Sequence, residues 1–160
     1  MDRVYAASDK PVREINGAAV FVAQSRRHIG LAYETATGAG HLEIHLLHLG
    51  WHGHNHFHND TDTSHCTYWI DPDVEPEQSE VIAAHCRLIF ERNMDNGIPY
   101  GFGSPDGFFG TDGDALPAGA SLGLTCATFV LAVFHLSGLP LVKYDTWISR
   151  DDDRIESLTR

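Results

Sequence analysis

The chain is short of positive charge. Eleven Lys and Arg stand against 22 Asp and Glu in 160 residues, a formal net charge of −11 with histidine neutral. No Lys/Arg-rich run breaks that excess, so the electrostatic footprint that attracts a phosphate backbone is missing, and nucleic acid is not an expected partner. Long apolar runs are missing too. No segment approaches the roughly 20 apolar residues that span a bilayer, and the opening MDRVYAASDK has no apolar signal core. A cytoplasmic protein without a membrane span is therefore expected. Cysteine is sparse: Cys66, Cys86 and Cys126 are odd in number and widely spaced, which leaves neither a disulfide framework nor a CxxC zinc motif. No repeat or low-complexity linker divides the chain. One domain over residues 1–160 is the expectation, long enough to bury a core without disulfides or a structural metal, with residues 148–160 as a polar tail.

What is present divides into strands and then helices. Residues 17–25 (GAAVFVAQS) and 28–34 (HIGLAYE) read as short strands able to pair as a hairpin. Residues 41–49 (HLEIHLLHL) follow the turn TGAG as a half-buried strand. Further strands are expected after Gly50, through HGHNHFH, and at Cys66–Ile70. The period then changes. Val81, Ile82, Leu88 and Ile89 recur at helical spacing, with Pro76 and Glu77 in the opening turn and Asn96-Gly97 as a stop. Residues 98–119 are too rich in Gly, Pro and Asp for regular structure and predict an ordered surface loop. From Leu124 to Leu136 nearly every residue is apolar, which predicts a helix surrounded by protein, stopped by Gly138 and Pro140. A last short strand is expected at residues 141–144.

Cys126 stands in the first turn of that apolar helix. Backbone N–H groups and the positive end of the helix dipole there favour a thiolate, and the same N–H groups can hold an oxyanion. Cys66, in a strand, and Cys86, mid-helix, read as structural thiols. A cysteine nucleophile needs a base, and the chain has eleven histidines. His41 opens a strand directly after a glycine turn, where a side chain can emerge into a cleft, and is the leading candidate; His45 is its alternative. A third polar group should hold the imidazole by its second nitrogen. His52, His54 and His56 alternate onto one face of the next hairpin arm and any of them suits that part.

GHLEIHLLHLG resembles the catalytic-histidine strand of the NlpC/P60 papain-like superfamily, TCATFVLAVFHLSGLPLV resembles its cysteine helix, and PYGF is similar to the Pro-Tyr-Gly segment found upstream of that helix in permuted members. Histidine before cysteine is the order of the circularly permuted branch, which includes the YiiX-like and lecithin:retinol acyltransferase-like proteins. The resemblance spans about residues 40–142. It implies an α+β, papain-like fold, an antiparallel sheet packed against a buried central cysteine-bearing helix. It implies a cysteine hydrolase or acyltransferase, amidase- or peptidase-like, acting on an amide, ester or thioester of a small molecule or peptide. In that frame Cys126 is the nucleophile, His41 the base and, by the family's spacing of about a dozen residues, His54 the orienting group; no cofactor is implied. Tyr100 lines the cleft or packs the loop. The chain departs from the pattern where Ala127-Thr128 replaces the serine and glutamate common in permuted members.

Two other classes fit parts of the sequence. HGHNHFHNDTDTSH, residues 52–65, packs five histidines and several Asp and Asn side chains into fourteen residues, a density that suits Zn, Ni or Cu and would make the protein a metal-binding protein or metallohydrolase. Against this, histidines at period two also describe a solvated strand edge, and neither HExxH nor HxHxDH is present. A non-catalytic binding module that keeps the papain-like cleft is the third reading.

Overall fold

The computed structural model describes residues 3–23, 28–38, 40–50, 57–117 and 122–142. Six strands, β1 (Val4–Ala6), β2 (Ala18–Ala23), β3 (His28–Ala36), β4 (Leu42–Leu49), β5 (Phe57–Asp60) and β6 (Tyr68–Ile70), form one sheet in the order β1-β6-β2-β3-β4-β5. Every pairing in it is antiparallel. Among the described residues two helices follow, α1 (Pro76–Asn93) and α2 (Cys126–Leu136). The protein is thus α+β, strands first and helices after.

Alternation along the strands sorts the side chains to two faces. Ala18, Leu31, Tyr33, Leu47 and Leu49 point to the face covered by the helices, where Ile82, Cys86 and Ile89 of α1 and Phe129, Val130 and Val133 of α2 complete the main core. Ala19, Phe21, Ala32, Ile44, Leu46 and Trp69 point the other way, under Val12, Ile15 and Cys66 from the loops. That second face carries no helix among the described residues. Its cover is two short 3-10 turns, Val12–Glu14 and Thr63–His65, and the chain around them.

Both helices are fixed at their starts. Pro76 occupies the first turn of α1, and Glu75 and Gln78 exchange side-chain and backbone hydrogen bonds in a capping box. In α2 the Thr125 hydroxyl accepts from Thr128 N–H at 3.1 Å while Thr128 Oγ1 accepts from Thr125 N–H at 2.8 Å. Gly138, at φ 73°, ends α2 in the left-handed region. Phe129, Val130, Ala132, Val133 and Phe134 are buried, whereas Ala127 and His135 face solvent. So α2 packs on one side rather than being enclosed all round as its composition suggested.

Other differences from the sequence reading have simple causes. β1 is three residues long, too short for alternation to show. Leu141–Val142, the described part of the expected last strand, is a bend and coil. The expected strand through residues 51–58 is described from Phe57 onward, and the expected tail, residues 148–160, lies outside the described residues. The loop 98–116 is irregular, as its glycines and prolines require. It is tied to the chain before α2: Leu124 N–H donates to Pro99 O at 2.9 Å, Gly101 N–H to Leu124 O at 3.0 Å and Gly103 N–H to Gly123 O at 2.8 Å. A Cβ on Gly101 would run into the Leu122 carbonyl, so this close ribbon needs glycine.

Candidate active site at one end of the sheet

Cys126 is the first residue of α2 and is partly exposed, while Cys66 and Cys86 are buried. Burial pushes the Cys66 thiol up to about 11 and raises that of Cys86 as well. These two behave as the structural thiols expected of them, except that Cys66 sits at the end of a 3-10 turn before β6 rather than in a strand. Tyr100 bridges to Leu124, two residues ahead of the thiol. Partial burial, and secondly the charge of Cys126, raise the Tyr100 hydroxyl above its ordinary range. Tyr100 therefore lies within electrostatic range of Cys126.

The aromatic cluster beneath α2 shows which end of the sheet this is. Phe129, one turn into the helix, meets the Phe57 ring at 5.8 Å and the Phe109 ring at 6.2 Å. Phe57 pairs with Leu49, the last residue of β4. His41 precedes Leu49 by eight residues of extended chain, about 26 Å at some 3.3 Å per residue. It is exposed just outside the far end of β4, where its carbonyl accepts Thr37 N–H at 2.8 Å. The structure does not bring His41 to Cys126. His52, His54 and His56 lie outside the described residues, in the connection between Leu49 and Phe57. His45 lies on the helix-covered face, stacked on Tyr33 at 5.3 Å. Its Nδ1 accepts from Asn59 Nδ2 at 3.2 Å and its Nε2 faces Glu43 Oε2 at 3.2 Å.

A different histidine pair occupies the Cys126 end of the sheet. His28 is the first residue of β3, and its Nε2 lies 3.0 Å from His48 Nδ1. The other nitrogen of His48, Nε2, lies 3.1 Å from Asp60 Oδ2. His58, opposite His48 in the β4–β5 register, stacks on it at 5.2 Å. These side chains rise from the sheet face that carries no helix, and with His65 they wall a cavity of about 190 Å³ floored by Phe21, Ala23 and Leu46. Gly30 makes room for them: a Cβ there would fall 2.7 Å from His48 Cβ and 2.6 Å from the Leu47 carbonyl oxygen. Among the described residues no three His, Cys, Asp or Glu side chains are arranged to hold a metal ion. The chain of contacts is hydrogen-bonded instead.

His28 and Asp60 were missed from sequence. His28 opens its strand without the glycine turn that singled out His41, and strand position by itself pointed equally to two histidines at opposite ends of the sheet. Comparison with protein-family models, curated proteins and solved structures finds no match for the chain. No helix among the described residues is long and apolar enough to cross a membrane.

Proposed function

We propose that this chain is a papain-like cysteine hydrolase or acyltransferase in which Cys126 is the nucleophile and His28, held by His48, is the base. One observation carries the reading. Of three thiols, the one that is not buried begins a capped helix at the same end of the sheet as a hydrogen-bonded His–His–Asp chain. His28 is the first residue of its strand, with its ring on the sheet face that α2 does not cover, so in this reading it acts on Cys126 around the end of the sheet. In this reading His28 takes the role that the sequence assigned to His41, and His48 the role assigned to His54.

The chemistry follows from those groups. The Cys126 thiol gives its proton to His28, and the thiolate attacks an amide, ester or thioester carbonyl. The cap already engages the Thr128 N–H, so the Cys126 and Ala127 N–H groups are the first-turn donors beside the thiol that suit the developing oxyanion. His28 returns the proton to the leaving group, and water or an acceptor releases the acyl group. Tyr100 borders this position.

Timed alkylation of the native protein with iodoacetamide, each modified cysteine identified by mass spectrometry, tests the assignment. Cys126 should react at least about tenfold faster than Cys66 and Cys86 at neutral pH. His28→Ala should slow it by a similar factor, and His41→Ala should leave it unchanged. Equal labelling of all three thiols overturns the nucleophile. Slowing by His41→Ala and not by His28→Ala returns the base to His41.

A further inference from the structure

We propose that His28 and His48 together chelate a divalent metal ion of tetragonal geometry, Cu(II) above all, on the helix-free face of the sheet. The site stands apart from the reading of Cys126 as a nucleophile, since it is built from imidazoles and is tested without turnover. His28 Nε2 and His48 Nδ1 lie 3.0 Å apart. Metal–imidazole bonds of about 2.0–2.1 Å put two such nitrogens about 3.3–3.4 Å apart at the tetrahedral angle, but only about 2.9 Å apart at a right angle. The observed separation is therefore the bite of a right-angled pair. Nitrogen ligands at right angles select the square and tetragonal geometries of Cu(II) and Ni(II), and copper heads the affinity order of the divalent ions.

The surroundings suit that pair to an ion. Asp60 Oδ2 lies 3.1 Å from His48 Nε2, the nitrogen that is not a ligand in this arrangement. A carboxylate on the outer nitrogen of a ligating imidazole fixes the ring and raises its basicity. The pair borders the cavity of about 190 Å³, whose walls add His58 and His65. The two imidazoles fill two positions of the ion, short of the three that the described residues do not assemble, and the cavity beside them has room for water in the rest. A net charge of −11 favours a divalent cation there. Passing from hydrogen bond to chelate turns both lone pairs to one point. The proton that the two nitrogens share then moves to the other nitrogen of its ring or to solvent, and no electron is transferred.

Electron paramagnetic resonance of Cu(II), added at up to one equivalent, reads the site in Cys126→Ala protein, where the thiol that is not buried takes no part. A tetragonal spectrum with echo modulation from two imidazoles is expected, and competition with glycine gives the affinity. His28→Gln and His48→Gln should each lower the imidazole count and weaken binding by at least about tenfold, while Asp60→Asn should keep both imidazoles and weaken it by about 10–100-fold. His52→Gln, His54→Gln and His56→Gln together should change neither count nor affinity. Circular dichroism checks the fold of each variant, and where His48→Gln does not fold, His28→Gln and Asp60→Asn carry the test. Copper bound as tightly by His28→Gln or by Asp60→Asn as by the parent overturns the proposal. So does copper binding that disappears when the three histidines of residues 52–56 are replaced.

Discussion

At the scale of single residues, the interior polar groups do the most exacting structural work, and Asn93 shows it best. It is buried at the last position of α1, where its Nδ2 donates to Ile89 O at 2.7 Å and to Gly113 O at 2.8 Å, and its Oδ1 accepts from Ala115 N–H at 3.0 Å. One side chain therefore satisfies three backbone groups and pins the loop after Asp112 to the helix end. Asn93→Ala leaves those groups without their partner and opens a small void, and should cost about 2–4 kcal/mol. Urea unfolding followed by circular dichroism measures this; a loss under about 1 kcal/mol would mean that water replaces the side chain. Gly30 works at the same scale in the opposite way, by having no side chain where His48 must bend toward His28.

At the scale of elements, α1 and α2 are joined at one polar point within an apolar contact. His85 Nδ1 lies 2.9 Å from Ser137 Oγ, and that hydroxyl donates to Val133 O at 2.9 Å, so His85 is the donor to serine. Burial lowers the His85 pKa below its ordinary value. The folded state therefore binds this proton less readily than the unfolded chain. The contribution is fully present above the ordinary histidine value of about 6.5 and is lost as pH falls below it toward the folded value. The stability advantage of wild type over His85→Gln, measured by urea titration, should shrink between pH 7.5 and pH 5. An advantage that grew on acidification would contradict the burial argument. The elements themselves were largely legible: β2, β3 and β4 follow from alternation, α1 from Pro76 and its apolar spacing, α2 from its apolar run and Gly138. The position of Cys126 was legible, and that of the histidine chain was not. Cys126 was placed in the first turn of α2 by the apolar run that follows it, whereas the His28–His48–Asp60 chain depends on how three strands register against one another, which alternation leaves open. Choosing His28 over His41 also needs the end of the sheet at which α2 begins, and that is set by Phe57, Phe109 and Phe129 packing across distant segments.

At the scale of the whole molecule, the imbalance of charge noted at the outset has a consequence for stability. A formal charge of −11 spread over 160 residues repels itself, most strongly in the compact state. The described cation–carboxylate pairs do little against it: Arg3 with Asp73 and Arg87 with Glu91 are both solvent-exposed, and such pairs contribute about 0–1 kcal/mol each. At 0.01 M ionic strength the screening length is about 30 Å, comparable to a domain of this size, and at 1 M it is about 3 Å. Added salt therefore removes repulsion across the whole surface and weakens only a few short-range attractions. Melting at pH 8 in NaCl raised from about 0.01 M to 0.5 M should show the Tm rising by roughly 2–4 °C, the response of a domain this size to about 1 kcal/mol. A Tm that fell with salt would mean that specific ion pairs outweigh the net charge. The same field bears on the proposed activity, because it acts on any substrate approaching the Cys126 end of the sheet: neutral or cationic amides and esters meet no long-range barrier, while a polyanionic one is repelled until salt screens the charge.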